Sequence, residues 1–78
     1  MVTGKQIRAA RALLSMSQVE LGRAAGLSET GVVGIETGRV DPKASTLANL
    51  LRVLEERGIE FLGDVGVKLK PKPMEADK

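Results

Sequence analysis

The sequence predicts an all-α fold class: four short helices, two of them in a helix-turn-helix arrangement, with a short C-terminal β-hairpin. Three observations predict it. Cap-like residues stand just ahead of helical runs at Thr3, Ser17 and Ser28. Gly26 falls between the second and third of these runs, at the spacing of a tight turn. After Gly58 the apolar period changes from that of a helix to that of a strand.

The first helix opens on Thr3, with Gln6 completing a capping box and Val2 positioned to staple onto Ile7. Ile7, Ala10, Leu13 and Leu14 share one face, so the helix is expected to run to about Leu14, with Lys5, Arg8 and Arg11 on its remaining surface. Ser17, Glu20, Met16 and Leu21 repeat the same capping and staple pattern for the second helix. Gly26 ends that helix, and Leu27-Ser28 restarts the chain at once, with Leu27 set to pack on Val32. The third helix is expected over about Glu29–Glu36, stopping before Gly38. Gly31 and Gly34 each cost it about 1 kcal/mol relative to alanine, so packing through Val32 and Ile35 must hold it. Pro42 keeps residues 39–43 in a loop, and Ser45 is the expected cap of the fourth helix. Leu47, Leu50, Leu51 and Leu54 make its core stripe, and Gly58 stops it after Arg57. Ile59 and Phe61 alternate with Glu60; Val65, Val67 and Leu69 alternate with Gly66, Lys68 and Lys70. Gly63-Asp64 is a two-residue turn signal between them, which predicts a hairpin over 59–70. The domain division expected is a helical domain over 1–58, a hairpin over 59–70 and a mobile tail over 71–78, which carries two prolines and four charges.

Composition narrows the function classes. The chain has 78 residues, enough for one small domain that buries about 60% of its unfolded surface. It has no cysteine and no histidine, so it lacks a thiol nucleophile, a disulfide framework, the commonest general base and the commonest metal ligand. No cofactor, no metal and no enzymatic activity are expected. Phe61 is the only aromatic residue, which argues against a stacking platform for single strands. No apolar run approaches the roughly 20 residues of a membrane span, and no signal peptide is apparent at the N-terminus, so a cytoplasmic protein without a membrane partner is expected. The charge is distributed unevenly: residues 1–43 carry +2, residues 44–64 carry −2 and residues 65–78 carry +2. The pI of 9.3 is compatible with a polyanionic partner.

The run from Gln18 to Gly38, QVELGRAAGLSETGVVGIETG, together with Arg11, resembles the phage-repressor-like (Cro/Xre-type) helix-turn-helix family of DNA-binding proteins. The resemblance covers about residues 5–57. Its specific parts are Arg11, Ser17-Gln18, the small Gly22 four residues before the turn glycine, Leu27-Ser28, Ile35-Glu36 and Gly38. It implies a repressor-like fold and a third helix docked in the major groove of double-stranded DNA. The base-reading residues it implies are Ser28, Glu29, Thr30 and Gly34, with Val33 set against a thymine methyl. Gln18, at the start of the second helix, is implied to meet a phosphate, as are Thr37, Arg39 and Lys43 in and after the following loop. Arg11 and Glu36 are implied to form a structural clamp. Gly31, Val33 and Gly34 stand where relatives usually offer polar side chains, which implies modest intrinsic specificity.

The resemblance implies a transcriptional regulator that works by occupying its operator as a homodimer. An isolated two-stranded hairpin is marginal in water, and this one is strongly apolar, so residues 59–70 are expected to pair with a second chain. The plainer expectation is a hairpin folded back on its own fourth helix. Two other functions compete. One is the antitoxin of a toxin–antitoxin pair, whose tail or hairpin covers a toxin. The other is a protein-interaction module that has lost DNA readout.

Overall fold

The computed structural model describes residues 1–71. The tail expected over 71–78 therefore lies, beyond Pro71, outside the described residues. The elements follow the order α1 (Gly4–Leu13), α2 (Gln18–Ala25), α3 (Glu29–Glu36), α4 (Ala44–Glu56), β1 (Ile59–Leu62) and β2 (Gly66–Leu69).

The first three helices start where their caps require. The Thr3 hydroxyl accepts from the Gln6 N–H at 3.3 Å, and the Gln6 carboxamide oxygen accepts from the Thr3 N–H at 2.9 Å. Ser17 and Glu20 close the same box on α2, at 3.0 and 2.8 Å. The Ser28 hydroxyl accepts from the Gly31 N–H at 3.0 Å. Gly26 is left-handed (φ 79°) and turns the chain from α2 into α3. Gly22 makes that turn tight: a Cβ there would lie 2.5 Å from the Leu27 carbonyl oxygen.

Two helix ends differ from expectation. α1 stops at Leu13 through a left-handed Ser15 (φ 53°), whose N–H donates to Ala12 at 3.0 Å while that of Met16 donates to Arg11 at 3.0 Å. No glycine advertises this cap. At the start of α4 the expected Ser45 cap is replaced by Lys43, which is extended and makes no side-chain cap bond. The chain re-enters the helical region directly after the Pro42-Lys43 pair, so Ser45 is already inside the first turn.

The core joins Ile7 and Ala10 of α1, Leu21 of α2, Val32 of α3, Leu50, Val53 and Leu54 of α4, and Ile59 of β1. Leu47 is only partly buried and Leu51 is half-buried, while Val53 takes the place expected for Leu51. Leu13 faces outward.

The hairpin differs more. β1 pairs antiparallel with β2 in the register Ile59–Leu69, Glu60–Lys68, Phe61–Val67 and Leu62–Gly66. The loop is therefore Gly63-Asp64-Val65, three residues and not two. The reason is register. A two-residue loop would set Val67 opposite Glu60 and split the apolar side chains between the two faces. One more loop residue brings Val67 and Leu69 onto the face of Ile59 and Phe61, and it leaves Val65 at the tip. That shared face packs on the same chain. Ile59 is buried, Phe61 and Val67 lie against the core, and the buried Gln6 amide of α1 donates to the Gly63 and Gly66 carbonyls, each at 3.0 Å. The hairpin is thus folded back on its own chain, as in the plainer expectation, and on α1 as well as α4.

Candidate nucleic-acid interface

α3 has eight residues and is about 12 Å long. Val32, Ile35 and Glu36 face the core. Thr30, Val33 and Thr37, spaced i, i+3, i+7, form the opposite row, with Glu29 one turn from Val33. Ser28, Glu29, Thr30 and Thr37 are exposed and Val33 is half-buried. The Ser28 hydroxyl uses a lone pair for its cap, which leaves its proton to donate. Gly34 does not join this row. It is buried, a Cβ there would lie 2.9 Å from Val40, and its carbonyl accepts from the Arg39 and Val40 N–H groups at 2.9 and 3.1 Å. The loop therefore closes over Gly34, and it presents no edge to a base. Gly34 is smooth for Val40 to pack on, and that explains a glycine in a helix interior.

α3 is fastened at its far end by Glu36, whose side chain is 1% exposed. Arg11 Nε donates to Glu36 Oε2 at 2.7 Å and Nη2 to Oε1 at 3.1 Å, while Nη1 donates to the Met16 carbonyl at 2.9 Å. This is a two-toothed charged clamp with a third tie to the start of α2. The hydrogen bond to Glu36 raises the Arg11 pKa above its usual value, against the opposing effect of burial. The clamp implied for Arg11 and Glu36 is thus present in the geometry.

Two expected phosphate contacts are engaged within the chain. Gln18 Nε2 donates to Glu36 Oε1 at 3.1 Å, which fixes its carboxamide but leaves one N–H of that group and the α2 end itself. The N–H groups of Gln18 and Val19 lie in the first turn, ahead of any helical partner. The Thr37 hydroxyl donates to the Val33 carbonyl at 2.8 Å, so its one proton is already used. Arg39 and Lys43 are exposed in the loop that follows, and Lys43 adjoins the uncapped first turn of α4. The structure therefore brings Gln18, Ser28, Glu29, Thr30, Val33, Thr37, Arg39 and Lys43 to α3 and its two flanks, and it removes Gly34. It also adds one cation that the sequence reading passed over. Lys5 of α1 lines a cleft of about 450 Å³ with Thr37, Gly38 and Asp64. It stands more than thirty positions before Thr37, so no local pattern marks it.

A model of the helix-turn-helix family matches residues 7–62 of the chain. The chain belongs to the phage-repressor-like helix-turn-helix DNA-binding family. In this family member the matched span runs from Ile7, within α1, through α2, α3 and α4 to the end of β1. Among solved structures, it is similar to the P22 c2 repressor protein in complex with synthetic operator 9T in the presence of Tl+. That crystal structure is 29% identical, with a TM-score of 0.66, over 70% of this chain and 83% of the repressor chain. No curated protein matches. Among the described residues, no helix is long and apolar enough to cross a membrane, and no group of three or more His, Cys, Asp or Glu is placed to hold a metal ion.

Proposed function

We propose that this helix-turn-helix regulator binds specific double-stranded DNA sequences as a homodimer, with α3 in the major groove. The observation that carries the reading is the outer row of α3. Thr30 and Val33 stand free of the core, while Arg11 and Glu36 clamp the helix behind them. A helix of this width fits the major groove, which is about 12 Å wide. Thr30 and Ser28 offer hydroxyls to base edges, Val33 offers a methyl surface to thymine, and Glu29 accepts from cytosine N4. The amide ends of α2 and α4, with Arg39, Lys43 and Lys5, meet phosphates on either side. With no Arg, Asn or Gln on the outer row of α3, base contacts are few, so deformability of the DNA carries part of the selection. In the homodimer two copies of α3 lie about 34 Å apart, one helical turn, and occupancy of the operator regulates transcription.

Selection from a random duplex library tests this. The expected product is an inverted repeat with half-site centres about 10 base pairs apart, or a multiple of that. A library that returns no enriched sequence at low salt contradicts it. Thr30→Ala is expected to lower discrimination among sites more than affinity. Arg39→Ala is expected to weaken binding on every sequence and to reduce the salt slope by about one.

A further inference from the structure

Among the described residues, β2 has a strand neighbour on one side only. The Lys70 N–H donates to the Gly58 carbonyl at 2.8 Å, and the register continues from there through Ile59–Leu69 and Phe61–Val67. Hydrogen-bonded and non-hydrogen-bonded pairs alternate along an antiparallel ladder. Val67 and Leu69 therefore direct their N–H and C=O groups away from β1. Among the described residues, no turn, loop or side-chain hydrogen bond reaches the main chain of either. A free edge of this kind is a template for another strand.

The exposed apolar side chains on this side of the molecule are arranged along the same strand. Val65, at the turn, is 87% exposed; Leu69, at the other end, is 44% exposed. Leu69 lines an open groove of about 610 Å³ with Leu13 and Leu14, rimmed by Arg57 and Lys70 and, from the end of α4, by Glu55 and Glu56. The hairpin thus carries an apolar knob at its turn and an apolar hole at its open end, with Asp64 next to the knob in the chain and Lys70 next to Leu69 at the hole. A surface with that layout is complementary to itself when turned end for end.

We propose that the β2 edge docks a second copy of this chain, strand against strand and antiparallel, about a twofold axis at Val67. The proposal rests on the homodimer reading above and adds its surface and its register. An axis at Val67 sets Val65 opposite Leu69 of the partner subunit, so each Val65 enters the groove floored by the partner's Leu13. It sets Asp64 opposite Lys70 of the partner subunit, which pairs unlike charges twice. The two copies of Val67 exchange N–H and C=O, and the two hairpins become one four-stranded sheet. The neighbouring axis at Lys68 sets that cation against its own copy, and an axis at Gly66 leaves Leu69 uncovered. Ala9, small and exposed, lines a cleft together with Gly66 and Val67.

Sedimentation equilibrium of the full chain tests this. Val65→Asp and Asp64→Lys each alter an exposed side chain, and each is expected to raise the dimer dissociation constant by about 100-fold. Asp64→Lys combined with Lys70→Asp is expected to return it to within about tenfold of the starting value. A dimer that ignores both single substitutions, or a double variant that stays dissociated, overturns the edge and register while the homodimer reading stands. A chain that is monomeric at every concentration overturns both.

Discussion

Single residues set how rigidly the interface is held. Arg11→Ala leaves the Glu36 carboxylate buried without a counter-charge and is expected to cost about 3 kcal/mol in urea unfolding. An unchanged midpoint would mean that Glu36 is not held as described. Gly31 and Gly4 respond in opposite senses, although both stand in helices. A Cβ on Gly31 meets Ser28 Oγ at 3.4 Å, an ordinary contact, so Gly31→Ala is expected to stabilise by about 0.5–1 kcal/mol. A Cβ on Gly4 overlaps the Ile35 carbonyl oxygen, main chain that does not yield, and Gly4→Ala is expected to cost about 1–3 kcal/mol. Thermal midpoints of the two variants check both signs together. Glu20 links stability to pH. The Ser17 N–H, and then the Ser17 hydroxyl, hold its carboxyl below the ordinary value. A lowered folded-state pKa adds stability above the ordinary glutamate range and loses it as pH falls through that folded-state value. Glu20→Gln keeps the cap and is expected to flatten this part of the pH dependence in a series of denaturation midpoints.

At the scale of the element, local chemistry was legible and distant contacts were not. The boundaries of α2 and α3 follow from Ser17, Glu20, Gly26 and Ser28, because each acts within one turn of its own position. The close approach of α2 to α3 was readable in Gly22 for the same reason. The end of α1 was not, since Ser15 takes a left-handed conformation that costs about 1 kcal/mol without any glycine to announce it. Ser15→Gly is therefore expected to raise the melting midpoint, and a lowered midpoint would contradict that reading of the cap. The length of the hairpin loop was hidden because the register depends on which face meets α1, and Gln6 makes that contact from more than fifty residues away. The engagement of Gln18 by Glu36 and of Gly34 by Val40 belongs to the same class. Sequence placed these residues beside the interface, and tertiary packing decided which of their groups remain to meet a ligand.

At the scale of the whole molecule, charge and shape divide the work. The first forty-three residues carry +2, as residues 65–78 do, and they hold α3, the loop cations and the α2 end. Residues 44–64 carry the net negative charge, on α4 and the hairpin, where Asp64 shares a cleft with Lys5. This asymmetry orients a small protein toward a polyanion and makes its affinity fall with salt. The hairpin completes the core over α1 and α4 and, among the described residues, leaves one strand edge unpaired, so the element that closes the fold is also the one proposed to meet a second copy. The central claim is that the outer row of α3 meets the edges of base pairs. Titration of the full chain with duplex DNA, followed by backbone amide chemical shifts, tests it most directly. The largest changes are expected at Ser28, Glu29, Thr30 and Val33, with smaller ones at Gln18, Arg39 and Lys43. Saturation of the titration with those amides unmoved, and with the changes gathered on α4 or the hairpin, would contradict it.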